Sequence, residues 1–224
     1  MGCTTGTEAS MSAALDIVHV DDSLLVLDKP AGLLAVPGRG PGKADCLAAR
    51  AQARFPDARV VHRLDMDTSG LMVMARGVAA QRVLSRAFAE RTVHKRYVAV
   101  VGGCPQAPTE EWSVIDLPLV CDWPNRPRQI VDHALGKRSL TRWRVAQYDA
   151  GDDTARVELE PVTGRSHQLR VHLAALGHPI LGDPLYAPPA LQARASRLML
   201  HAWRLTFAHP ASGETQEFEL AAPF

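Results

Sequence analysis

Short stretches of the chain alternate apolar and polar residues with a period of two. From Ala155 to Glu160, Ala155, Val157 and Leu159 interleave with Arg156, Glu158 and Glu160, the mark of a strand with one buried face. Strands are likewise predicted at Ile17–Val20, Leu24–Leu27, Tyr97–Val101, Leu140–Val145, Leu198–Phe207 and Thr215–Leu220, with another apolar strand through Leu71-Met72-Val73. Asp21-Asp22-Ser23 and Ala211-Ser212-Gly213 supply the turns of the first and last pairs. Residues 45–54 and 78–90 are alanine-rich with arginines on one side, which favours helix. A third helix is expected over Ser166–Leu176, capped by Ser166, stopped by Gly177 and striped by Leu169, Leu173 and Leu176. Strands outnumber helices and do not alternate with them regularly. The expected fold is therefore α+β, one domain over 15–224, with a central mixed, mainly antiparallel sheet flanked by helices and loops. Residues 1–14, small and polar, read as a flexible tail.

Composition narrows the class. Apolar residues make up 46% and charged residues 22%, which excludes a disordered chain. The four cysteines form no C-x-x-C pair, so neither a zinc ribbon nor a thioredoxin-like site is available, and scattered thiols suit a reducing cytoplasm. The N-terminus has no signal-peptide pattern, and no apolar run reaches the roughly 20 residues of a membrane helix. A cytoplasmic chain without membrane contact is expected. The formal charge of +1 gives no global cationic signal, but its distribution is uneven. Arg54 to Arg96 holds nine basic residues against four acidic ones, and Thr163 to Arg204 holds five arginines against Asp183. Folded onto one face, these segments would make a cationic surface; on charge alone, ordinary solvated helix faces are the better explanation.

Two segments concentrate chemistry. In Val61–Val73, Asp65 stands near Arg63 in a loop of small polar residues ahead of an apolar strand, as a reactive carboxylate is often displayed. Pairing of Asp65 and Asp67 with Arg63 in a capped turn is the plainer alternative. In Pro161–His172, His167 and His172 lie five residues apart, which on a helix puts them on different faces and argues against a shared metal. No nucleophile elbow, phosphate loop, dinucleotide fingerprint or deaminase pattern occurs. A cofactor-free reaction at a carboxylate, or no reaction, remains.

Taken together, the segments resemble a known family. His62-Arg63-Leu64-Asp65 followed by Thr68-Ser69-Gly70 resembles the signature of RluA-type pseudouridine synthases. Gly164-Arg165-Ser166-His167-Gln168-Leu169-Arg170, Leu176–Asp183, Leu198-Met199-Leu200-His201-Ala202 and the opening Leu27-Asp28-Lys29-Pro30-Ala31-Gly32-Leu33 are similar to further blocks of that family, in order. Asp122–Pro127 and Val36-Pro37-Gly38-Arg39 look like its dual-specificity branch. The resemblance implies isomerisation of uridine by cleavage of N1–C1′ and rejoining through C5, with no metal, nucleotide or redox cofactor. It implies Asp65 as catalytic nucleophile or base, Tyr97 stacked on the target base, and Arg170 paired with the catalytic carboxylate and keeping it ionised. Arg63 would enter the base stack when the target leaves it, while His62, Thr68, Arg165, His167, Gln168 and Leu200 would complete the substrate site.

The substrates implied are structured RNA: a tRNA anticodon stem-loop, at its first loop position, and one stem-loop of 23S rRNA. A monomer is expected, and the few residues ahead of the first strand leave no room for the S4 domain that many relatives carry. The Tyr97 hydroxyl is the leading candidate to accept the C5 proton, provided neighbouring arginines favour its phenolate or a water relay. Asp67 would raise the pKa of Asp65 if both faced the cleft. A silent RNA-binding or RNA-chaperone protein on the same fold is the alternative from another class. A glycoside hydrolase fits less well, because Asp65 and Asp67 are too close in sequence to flank a sugar.

Overall fold

The computed structural model describes residues 15–40, 42–106 and 111–224. The expected tail 1–14 lies outside the described residues, and so does part of Gly102–Glu111, a stretch whose prolines read as a loop. Ten strands form one sheet: β1 (Asp16–Val20), β2 (Leu24–Lys29), β3 (Ala58–Val60), β4 (Ser69–Arg76), β5 (His94–Gly102), β6 (Ser113–Asp116), β9 (Leu140–Asp149), β10 (Thr154–Pro161), β11 (Leu200–Ala208) and β12 (Thr215–Glu219). Their order is β1-β2-β4-β11-β5-β10-β9-β6, with β3 on β4 and β12 on β11. β4 and β11 pair in parallel; the other pairs are antiparallel, which gives the expected mixed sheet. The helices are α1 (Leu47–Arg54), α2 (Gly77–Glu90), α3 (Gln168–Ala175) and the single turn α4 (Pro189–Gln192). A separate hairpin, β7 (Leu119–Cys121) and β8 (Gln129–Val131), stands off the sheet. No helix among the described residues is long and apolar enough to cross a membrane.

Strand alternation divides the apolar residues into three cores. One joins β5, β9 and β10 to α3 through Ala99, Val101, Val145, Val157, Leu159 and Leu173. A second joins β2 and β4 to α1 through Leu25, Leu27, Met72, Met74 and Ala51. The third covers the opposite face of β2 and β4 with α2, through Val26, Val73 and Leu84. Tyr97 packs against the first two cores, so it stands on the seam between the two halves of the sheet.

The seam depends on one close approach. Ser69 and Gly70 of β4 pair with His201 and Ala202 of β11. Gly70 has φ +109°, and a Cβ there would run into the Ala202 backbone, so only glycine permits the two strands to meet here. Below the pair, the Ser69 hydroxyl lies 2.8 Å from His201 Nδ1. Two segments more than a hundred residues apart are thus locked side by side.

The third helix departs from expectation. It starts at Gln168, and its N-cap is His167 at φ +53°, with no side-chain cap; Ser166 is exposed. Leu169 and Leu173 are buried, but Leu176 is 40% exposed. Gln168, Arg170 and His172 are buried with them, so Gln168–Leu173 is buried around its whole circumference and carries no apolar stripe. Polar residues can occupy such a helix only when each finds partners, and each does. The predicted stop holds: Gly177 follows at φ +84°.

Candidate active site

All ten residues singled out from the sequence line a single cleft of about 460 Å³, within the roughly 300–1,000 Å³ of small-ligand pockets. His62, Arg63, Asp65 and Thr68 come from the loop between β3 and β4, and Tyr97 from β5. Arg165, His167, Gln168 and Arg170 come from the β10–α3 connection and α3, and Leu200 from the start of β11.

The Asp65 loop is pinned from three sides. The Thr68 amide donates to Asp65 O at 3.2 Å and closes the turn. The Gly32 amide donates to Met66 O at 2.9 Å. His62 Nε2 accepts from the Val73 amide at 3.0 Å while its ring stacks on Phe88, centroids 4.4 Å apart. Burial and the nearby Lys95 ammonium push the His62 imidazole down to about 3, so it works as a neutral acceptor. Its place in the cleft wall thus serves the loop's attachment to β4.

Lys29, which sequence reasoning quoted without a role, lies beneath the loop. Its ammonium is fully buried and donates to Pro30 O, Leu33 O and Met66 O at 2.7–2.8 Å. Burial lowers its pKa to about 8, against the pull of Asp67 and Asp65. The signal was a lysine ending a strand that opens with four apolar residues, Leu24–Leu27. A buried cation has to be fully hydrogen-bonded, and these three carbonyls do that.

Arg170 is anchored before it reaches Asp65. Its Nε and Nη2 donate to the two oxygens of Asp183, each at 2.7 Å, with both residues buried. Burial opposes its charge, but the Asp183 carboxylate outweighs that and raises the Arg170 pKa. The remaining nitrogen, Nη1, faces Asp65 Oδ2 at 3.8 Å. The fork is therefore spent on Asp183, and one edge is left for the partly exposed Asp65. Asp183 Oδ1 also accepts from the Leu185 and Tyr186 amides at 2.8 and 3.1 Å, which sets the Tyr186 ring 5.1 Å from the Arg170 guanidinium.

The geometry qualifies three expectations. The Tyr97 phenol is pushed up by burial and then by the Asp65 charge, the opposite of what a phenolate base requires. Strand alternation explains why no arginine offsets this: Arg96 points to the other sheet face, over Trp112 and towards Glu160. Gln168 has no free hydrogen-bonding capacity for RNA. Its Oε1 accepts from Thr163 Oγ1 (2.7 Å) and the Arg165 amide (3.0 Å), and its Nε2 donates to Leu140 O and Thr141 Oγ1 (both 2.9 Å). It shapes the Thr163–Gln168 loop. Asp67 lines a neighbouring concavity with Arg197, not this cleft.

His167 and His172 diverge, with His172 inside the helix and His167 its left-handed N-cap. His172 is buried, bonded to Thr141 Oγ1 and Leu117 O. His167 lines the cleft, and burial lowers its pKa against the pull of Asp65. The basic segments are only partly united: Arg63, Arg91, Lys95 and Arg165 border the cleft, whereas Arg76 pairs with Asp57 and Arg204 with Glu217 and Glu219.

A family model for RNA pseudouridylate synthase matches residues 23–175, which include Asp65, Tyr97 and Arg170. The chain belongs to that family. The dual-specificity RNA pseudouridine synthase RluA of Escherichia coli (strain K12) is 53% identical over 210 residues, 94% of each chain. The protein of the same name from Haemophilus influenzae is 47% identical, again over 94% of each chain. Among solved structures, human RNA pseudouridylate synthase domain containing 1 has TM-score 0.76 and 33% identity, covering 97% of this chain and 87% of its own. Human RNA pseudouridylate synthase domain containing 4 has TM-score 0.70 at 27% identity, covering 93% and 88%. The synthase is accordingly an isomerase of RNA uridines.

Proposed function

We propose that the synthase acts on uridines presented in short RNA loops: one in a tRNA anticodon stem-loop and one in a 23S rRNA stem-loop. The observation that carries this is the convergence on one cleft of Asp65, Tyr97 and Arg170 with a rim of Arg63, Arg91, Lys95 and Arg165. A stacked base must leave its stack before the cleft can reach its glycosidic bond, which costs a few kcal/mol. Arg63, exposed on the rim, can fill the vacated position with its guanidinium plane, while the rim cations hold phosphates.

In the cleft, Asp65 is the nucleophile or base for breaking N1–C1′, with Arg170 holding the opposing charge. Tyr97 offers its ring face to the freed uracil. The isomerisation balances without oxidant or reductant: C1′ moves from N1 to C5, C5 loses a proton and N1 gains one. Because the Tyr97 hydroxyl stays protonated, it takes part in removing the C5 proton only by passing its own proton on at the same time. Otherwise it is a stacking platform.

The synthase is expected to work as a cytoplasmic monomer. Incubation with unmodified tRNA and 23S rRNA transcripts, followed by nucleoside analysis, tests the targets. Pseudouridine in both supports the reading, in one alone narrows it, and in neither, with activity on a third RNA, removes it. RNA binding without pseudouridine in any RNA would favour a silent binder.

A further inference from the structure

Tyr186 was not among the residues singled out from the sequence, yet it touches the cleft's machinery twice. Its hydroxyl lies 2.8 Å from the Gln129 amide of β8 and 2.7 Å from His167 Nδ1. Two guanidinium groups lie over its ring, Arg170 at 5.1 Å and Arg128 at 5.4 Å from the centroid. An amide N–H can only donate, so the phenolic oxygen accepts from Gln129. Among the described residues, His167 Nδ1 is the one acceptor within reach of the hydroxyl's proton. An imidazole that accepts at Nδ1 carries its proton on Nε2. Nε2 has no hydrogen-bond partner among the described residues and is not sealed from solvent, and His167 lines the cleft beside Asp65.

We propose that Tyr186 is a positioning residue: its hydroxyl fixes the His167 tautomer so that Nε2–H is offered to an oxygen of the nucleotide bound beside Asp65, while its ring braces the Arg170 guanidinium. The left-handed backbone at His167, φ +53°, is consistent with a side chain held for use, since a histidine is uncommon there. Hairpin β7–β8, which supplies Gln129, thereby helps to set the hydrogen bond that the cleft presents.

The test is the nitrogen spectrum of histidine-labelled synthase, with His167 assigned by the loss of its signals in His167→Gln. Wild type is expected to show an unprotonated Nδ1 and a protonated Nε2 at His167. Tyr186→Phe, which keeps the ring, is expected to move them towards the other tautomer. A wild-type Nδ1–H tautomer, or signals unmoved in Tyr186→Phe, would overturn the proposal. The kinetic arm rests on the isomerase reading. On a prefolded stem-loop, Tyr186→Phe should lower kcat tenfold or more with KM within twofold. In His167→Gln, whose amide supplies a donor at the Nε2 position without needing Nδ1, adding Tyr186→Phe should cause no further loss. Multiplying losses, or a wild-type kcat in Tyr186→Phe, would count against it. A wild-type protein that makes no pseudouridine in any RNA would sink the isomerase reading and leave the spectrum to judge the tautomer.

Discussion

Replacing Arg170 by methionine should cost both stability and turnover, and the two losses can be separated. Asp183 is fully buried, and Arg170 supplies it with two charge-assisted hydrogen bonds at 2.7 Å. Removing one partner of a buried pair strands the other charge and typically costs about 3–5 kcal/mol. At roughly 2–4 °C per kcal/mol for a chain of this size, Tm should fall by about 6–20 °C. The double variant Arg170→Met, Asp183→Asn removes the stranded charge. It keeps an oxygen for the Leu185 and Tyr186 amides, which Asp183 Oδ1 now accepts. Its remaining deficit should be about 1–3 kcal/mol, for the unpartnered amide hydrogens. Thermal and urea unfolding at neutral pH measure stability, and nucleoside analysis of a modified stem-loop measures turnover. Both variants should lack product, because neither offers Asp65 a cation. A Tm for Arg170→Met within about 2 °C of wild type, or a double variant less stable than the single, would refute the reasoning.

Three further outcomes are expected. Gln168→Ala removes four internal hydrogen bonds and should destabilise the chain by about 2–4 kcal/mol in urea unfolding, with RNA affinity little changed because no Gln168 atom is free for RNA. His62 has its folded pKa lowered from 6.5 to about 3, so the unfolded chain binds its proton first. Stability should therefore fall as pH drops from 6.5, by up to about 1.4 kcal/mol per pH unit. In His62→Gln that part of the slope should vanish; an unchanged slope would assign it to other groups. RNA affinity should drop steeply with salt despite the formal charge of +1. If Arg91, Lys95 and Arg165 each meet a phosphate, the log–log slope should be about −2, and Lys95→Ala should reduce its magnitude by about 1.

Much of the architecture was readable because strands carry their signal locally. Alternation in Ala155–Glu160 foretold β10, and the Asp21-Asp22-Ser23 turn foretold the β1–β2 pair. What joins the two halves was not readable, because the parallel pairing of Ser69-Gly70 with His201-Ala202 depends on contacts between distant segments. The three-residue strands β7 and β8 are too short to show a period. The α4 turn was missed although Pro189 at its first position was a usable signal. In the cleft, residue types in the motifs marked side chains that the fold brings together, but not the partners those side chains take. Gln168 is expected at the RNA because of the motif that contains it, whereas its four hydrogen bonds go to the protein's own backbone and side chains. Lys29 and Tyr186 act through carbonyls and a ring nitrogen that only the folded chain brings near.

The most direct test is a comparison of wild type and Asp65→Asn on one prefolded anticodon stem-loop containing uridine, with nucleoside analysis and binding measured on the same samples. The amide is nearly the size of the carboxylate, and among the described residues the Asp65 side chain makes only the 3.8 Å ion pair with Arg170. Wild type should form pseudouridine. Asp65→Asn should bind the RNA with affinity within about twofold and melt within about 2 °C of wild type, yet form none. Pseudouridine formation by Asp65→Asn at a substantial fraction of the wild-type rate would contradict the assignment of the chemistry to this carboxylate.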